Sequence, residues 1–165
     1  MKVFVSTVPF AKTNRVPVEL LENLGAELIV NPLNRKLLPN ELADMISDVD
    51  VLIAGTETID KNILDKASKL KLISRVGIGV DAIDLNAAKK LGIQVSFTPD
   101  APAPAVAELT IGLMLSLLRN IHIANSQMHN GTWERHFGRR IPEITIGIIG
   151  IGRNFHQKPV FNCFR

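Results

Sequence analysis

The stretch Leu70-Lys71-Leu72-Ile73-Ser74-Arg75-Val76-Gly77-Ile78-Gly79-Val80-Asp81-Ala82-Ile83-Asp84 decides how the rest of this chain is read. An apolar strand, Leu70 to Ile73, runs into a loop with two glycines two apart, an arginine just before them and two aspartates just after. Glycine takes positive φ without a Cβ penalty, so the N–H groups of residues 76–79 can converge on one point as an anion nest. Arg75 beside them offers a charge-assisted, bidentate hydrogen bond to a carboxylate. A small organic acid suits this chemistry. The same residues also admit a plainer arrangement, in which the glycines only turn the chain and Arg75 pairs with Asp81.

Working outward, strands alternate with helices. Lys2 to Thr7 reads as a strand, and Val16 to Leu24 as a helix with Pro17 in its first turn and Gly25 after its end. Ala26 to Val30 is a second strand, and a second helix opens at Leu38 or Pro39 with Leu42, Ala43, Met45 and Ile46 on one face. Val49 to Ala54 is a continuously apolar third strand, Ile59 to Ala67 a third helix, Leu70 to Ile73 the fourth strand. Leu85 to Leu91, stopped by Gly92, and Ile93 to Phe97 complete the series. Apolar inner strands separated by helices predict an α/β fold, a doubly wound parallel sheet of the flavodoxin-like kind. Ligands of such sheets bind beyond the carboxyl ends of the strands, which makes Thr56 and Glu57, after strand three, further site candidates beside residues 75–79.

Thr98-Pro99-Asp100-Ala101-Pro102-Ala103-Pro104 holds three prolines in six residues and reads as a rigid connector. Ala105 to about Met128 is expected to be one long helix, apolar nearly all round from Leu109 to Leu118. Glu108 and Arg119 bracket that run at about half the length a membrane span needs, so a buried helix is expected. Gly131 ends it, and a polar loop carrying Trp133 runs on to Arg140. Ile144 to Ile149 reads as a further strand, followed by Gly150-Ile151-Gly152, the start of a dinucleotide fingerprint. Its third glycine position holds Phe155, where close helix packing is needed, and Pro159 interrupts the expected helix early.

Five ordered segments carry a resemblance: Leu72 to Leu85, Phe97-Thr98-Pro99, Ala105-Val106-Ala107-Glu108-Leu109, Gly131-Thr132-Trp133-Glu134-Arg135, and Thr145 to Arg153. Together they resemble the D-isomer-specific 2-hydroxyacid dehydrogenases, and within them the phosphoglycerate dehydrogenases. The resemblance implies a substrate-binding domain over 1–104, an interdomain and dimer-forming helix and loop over 105–143, and the start of a Rossmann NAD domain over 144–165. It implies a substrate site at Arg75, Val76, Gly77, Ile78 and Gly79, to which the strand-end position adds Thr56, and cofactor contacts at Gly150, Gly152 and Arg153, with NAD as cofactor. It also implies an oxidoreductase acting on the CH–OH group of D-2-hydroxy acids, working as a homodimer.

Two departures qualify it. Phosphoglycerate dehydrogenases commonly place an arginine just after strand three, where this chain reads Ala54-Gly55-Thr56, which argues against recognition of a 3-phosphate. The family's catalytic arginine, glutamate and histidine lie later in the nucleotide domain, and none of His122, His129, His136 or His156 matches the catalytic histidine, so no catalytic residue is assigned. The expectation is therefore a dehydrogenase substrate domain cut short by a premature stop, a frame disruption or an artificial boundary, and inactive alone. The alternative is a non-catalytic module that binds a small acid or pairs with a full-length relative.

Composition sets the remaining bounds. With 46% hydrophobic residues in 165, the chain can bury a real core. A net charge of +3 with scattered basic residues argues against a nucleic-acid reader, which more often shows a continuous basic face. Cys163 alone rules out an intramolecular disulfide and a cysteine-based metal cluster. The chain starts directly on a strand-like run without a secretory pattern, so a cytoplasmic protein is expected.

Overall fold

The computed structural model describes residues 1–149. The chain divides into two compact units, Met1–Pro99 and a second that begins at Asp100. The first unit runs β1 (Lys2–Val5), α1 (Val16–Asn23), β2 (Glu27–Val30), α2 (Pro39–Met45), β3 (Val51–Ala54), α3 (Lys61–Leu64), β4 (Leu72–Arg75), α4 (Leu85–Lys90), β5 (Gln94–Phe97). All five strands pair in parallel in the order β2-β1-β3-β4-β5. That is the flavodoxin-like order, as the alternation of elements predicts.

Register explains the core. Ile29, Phe4, Leu52, Ile73 and Val95 face one another across all five strands. This row packs against Leu42 and Ala43 of α2, Ile63 and Leu64 of α3, and Ala87 and Ala88 of α4. Strand side chains alternate faces, so Val3 and Val5, both fully buried, point the other way. The chain moves from β1 to β2 in one direction along the sheet and from β2 onward in the other. Right-handed crossovers therefore place α1 on the face opposite α2, α3 and α4.

Capping fixes where the helices begin. Asp60 accepts from the Ile63 N–H at the start of α3, and Asp84 from the Ala87 N–H at the start of α4. Before α2, Glu41 accepts from the Leu38 N–H and is held by both terminal nitrogens of Arg35 at 2.8 and 2.6 Å. That grip brings the Glu41 carboxyl down to about 2. At the amino edge of the sheet, Lys2 and Lys69 bond Asp48 and lower its carboxyl to about 2 as well.

The fourth strand differs from its sequence reading. It runs from Leu72 to Arg75 instead of Leu70 to Ile73, because ladder bonds to β3 and β5 continue through Ser74 and Arg75. Arg75 is thus the last residue of a strand and inherits the rigidity of the sheet.

The second unit holds α5 (Ala103–Leu118) and α6 (Ile121–His129). The single long helix expected over residues 105–128 is two helices bent by 67°. Asn120 sits between them at φ 53°, a left-handed conformation that asparagine tolerates better than most residues. Residues 131–140 then fold back to this unit's break. The Arg139 N–H donates to the Leu118 carbonyl at 2.9 Å, and the Asn120 amide to the Phe137 carbonyl at 3.2 Å. Trp133 lies 75% exposed on that segment. The strand expected over Ile144 to Ile149 does not form, since no strand among the described residues pairs with it. Among the described residues, no single helix is long and apolar enough to cross a membrane.

Candidate functional site

At the carboxyl edge of the first unit's sheet, polar groups enter the interior. The three buried polar or charged side chains among the described residues, Ser6, Asn31 and Glu57, follow β1, β2 and β3 respectively. Buried polar groups need partners, and these have them. The Ser6 hydroxyl donates to the Ile53 carbonyl at 3.3 Å, and the Asn31 amide donates to the Ser6 and Arg35 carbonyls at 3.0 and 2.8 Å. The Glu57 carboxylate accepts from the Gly55 N–H at 2.7 Å. A β-carbon on Gly55 would lie 2.9 Å from the Thr7 hydroxyl and about as close to both Glu57 oxygens, so a side chain there would push these groups aside. Thr56 follows, exposed, on the turn that Glu57 holds.

The neighbouring loop, residues 76–84, is anchored at both ends. The Val76 N–H donates to the Ala54 carbonyl at 2.9 Å, joining it to the Gly55-Thr56 turn. Farther on, Ile59 and Ile83 bridge in parallel, with Ile59 donating to Ala82 and Asp84 donating to Ile59. Arg75 and Thr56 thus leave adjacent strands at the same edge.

Within this loop the Arg75 guanidinium folds over Gly77, and Nη1 donates to the Val76 carbonyl. A β-carbon on Gly77 would come within 2.7 Å of that nitrogen. Arg75 Nε is buried and has no hydrogen-bond partner among the described residues. No ion pair among the described residues joins Arg75 to Asp81, so that part of the plainer arrangement is not adopted.

The four N–H groups read from sequence as one nest have separate fates. Val76 donates to Ala54, and Gly77 donates to the Thr98 hydroxyl at 2.9 Å. Ile78 and Gly79 keep N–H groups without a partner among the described residues. Sequence reasoning missed Thr98, Ser6, Asn31 and Thr7. Only a strand-end position marks them, and that signal is shared with many ordinary turn residues. Gly150, Gly152 and Arg153 lie outside the described residues. The sequence there offers two fingerprint glycines with Phe155 at the third position, an incomplete dinucleotide cradle.

The model of the D-isomer specific 2-hydroxyacid dehydrogenase catalytic domain matches residues 4–158. The chain belongs to this family. It is 40% identical over 139 residues to D-3-phosphoglycerate dehydrogenase of Methanocaldococcus jannaschii, covering 82% of this chain and 26% of that protein. It is 42% identical over 116 residues to hydroxypyruvate reductase of Thermotoga maritima, covering 68% of this chain and 38% of that protein. Among solved structures, TT0316 protein from Thermus thermophilus superposes with a TM-score of 0.75 at 29% identity, covering 94% of this chain and 50% of that one. Cofactor (NAD+)-bound 3-phosphoglycerate dehydrogenase of Entamoeba histolytica gives 0.68 at 31% identity, covering 86% and 43%. This dehydrogenase-family chain therefore spans 26% and 38% of the lengths of these two curated relatives.

Proposed function

We propose that this chain supplies the substrate grip of an NAD-dependent oxidoreductase acting on the CH–OH group of small D-2-hydroxy acids. The observation that carries the reading is Arg75, fixed at the carboxyl end of β4 with an unpaired Nε and two unpaired loop N–H groups following it. A carboxylate offers two oxygens with about four acceptor sites, enough for a guanidinium and the Ile78 and Gly79 N–H groups together. The guanidinium leaves the Val76 carbonyl and turns to the ligand. The Entamoeba relative supports NAD as the cofactor of the whole enzyme.

Thr56, where phosphoglycerate dehydrogenases commonly carry an arginine nearby, favours an unphosphorylated acid. Titration of the isotope-labelled chain with D-glycerate and separately with 3-phosphoglycerate tests both points. D-glycerate is expected to shift the Ile78, Gly79 and Arg75 resonances, and 3-phosphoglycerate to bind no more tightly. Affinity is expected to be weak, because a single open edge leaves much of the ligand solvated. Shifts centred away from residues 75–79 overturn the assignment.

A second observation favours pairing with another copy. Val106, Leu109, Leu113 and Leu117 recur at three- and four-residue intervals along α5 and are exposed, Leu109 by 62% and Leu117 by 67%. An apolar stripe of this kind marks an association surface. The chain is expected to sediment as a dimer at micromolar concentration, and Leu113→Glu to convert it to a monomer. Monomeric behaviour of the unmodified chain overturns the pairing.

A further inference from the structure

We propose that Thr98 is a positioning residue for the carboxylate-binding loop, a role that rests on the reading of that loop just given. The β4–β5 ladder ends at the pair Arg75 and Phe97. Beyond it, Gly77 and Thr98 exchange two further hydrogen bonds. The Gly77 N–H donates to the Thr98 hydroxyl at 2.9 Å, and the Thr98 N–H donates to the Gly77 carbonyl at 3.0 Å. One threonine thus grips both peptide groups flanking Gly77.

Planarity turns that grip into aim. A trans peptide holds its C=O and the next N–H rigidly opposed, so fixing the Gly77 carbonyl fixes the direction of the Ile78 N–H. The hydroxyl meanwhile fixes the peptide between Val76 and Gly77. Gly77 sits at φ +142°, in a region that side-chain-bearing residues rarely enter, and glycine is the residue with the most freedom to rotate away. Without the clasp, the Ile78 donor loses its fixed direction and binding must order it again.

The test compares Thr98→Val and Thr98→Ser in the 165-residue chain. Valine keeps the shape and removes the hydroxyl; serine keeps the hydroxyl. Amide exchange at Gly77 and D-glycerate titration are read on each, with thermal melting as the control for folding. T98V is expected to melt like the parent, exchange the Gly77 amide faster and bind D-glycerate about two- to tenfold more weakly, the range for one lost neutral hydrogen bond. T98S is expected to restore both. Undiminished D-glycerate binding in T98V, with parental shifts at Ile78 and Gly79, overturns the role of Thr98 alone. Failure of T98V to fold also counts against it, since a positioning role predicts an intact fold. Absence of shifts at Ile78 and Gly79 in the parent removes the carboxylate reading, and the proposal with it.

Discussion

Incubated with NAD or NADP and a panel of D-2-hydroxy acids, the purified 165-residue chain is expected to leave the cofactor oxidised. Three shortfalls multiply. Phe155 occupies the fingerprint position where the helix must approach the strand closely. A ribose-binding acid belongs about 20 residues past the motif, and these 165 residues contain no Asp or Glu after Glu143. A general acid or base is also missing from the family pattern. His136 bonds the Gln127 side chain at 2.6 Å and His129 the Asn125 carbonyl, and neither matches the motif of the family's catalytic histidine. Losing acid–base help typically costs about 10²- to 10⁴-fold in rate, and losing cofactor positioning costs more. Absorbance of reduced cofactor is the measurement. Turnover that persists after contaminating host enzymes are removed would show that the chain completes its own site.

Gly77→Ala is expected to abolish D-glycerate binding while leaving the sheet folded. Two effects act at one atom. At φ +142° a residue with a β-carbon is strained by about 1–3 kcal/mol. The new carbon would also lie within 2.7–3.0 Å of three guanidinium atoms of Arg75, so the loop and the arginine cannot both keep the arrangement from which the ligand is met. The strain falls on a loop at the edge, outside the row Phe4, Leu52 and Ile73 that holds the sheet together. Calorimetry with D-glycerate checks the binding, and far-ultraviolet circular dichroism the fold. Binding retained within a factor of about two would mean that Gly77 is not required in this conformation, against the strain expected there.

The sheet was legible because its signal is redundant. Apolar runs at Val49 to Ala54 and Ile93 to Phe97 admit little besides inner strands, and proline and glycine mark the ends of α1. Strand ends were less legible. Ser74 and Arg75 look like loop residues by type, yet they complete β4 because β3 and β5 offer ladder partners on both sides. The break at Asn120 was hidden for the opposite reason. Its neighbours are good helix formers, and the bend follows from one residue's tolerance of positive φ together with a returning segment that caps the Leu118 carbonyl. The carboxylate loop was legible in outline from Arg75, Gly77 and Gly79. Which N–H groups stay unpaired was not, because Thr98 lies 21 residues from Gly77 and meets it only once β5 lies beside β4.

Because β1 lies between β2 and β3, it cannot be completed until both of its later neighbours have been made. It acquires β2 after one short helix, but its second edge waits for Asp50 and Val51, with 48 residues separating Lys2 from Asp50. Until then a largely apolar strand keeps one open edge, and parallel pairing across so long a separation is intrinsically slow. Synthesis of this chain therefore passes through a window in which two of the five strands exist with an unpaired hydrophobic edge, a species exposed to aggregation or chaperone capture. Emergence of β3 covers that edge of β1 and passes the open edge on to β3 until β4 follows.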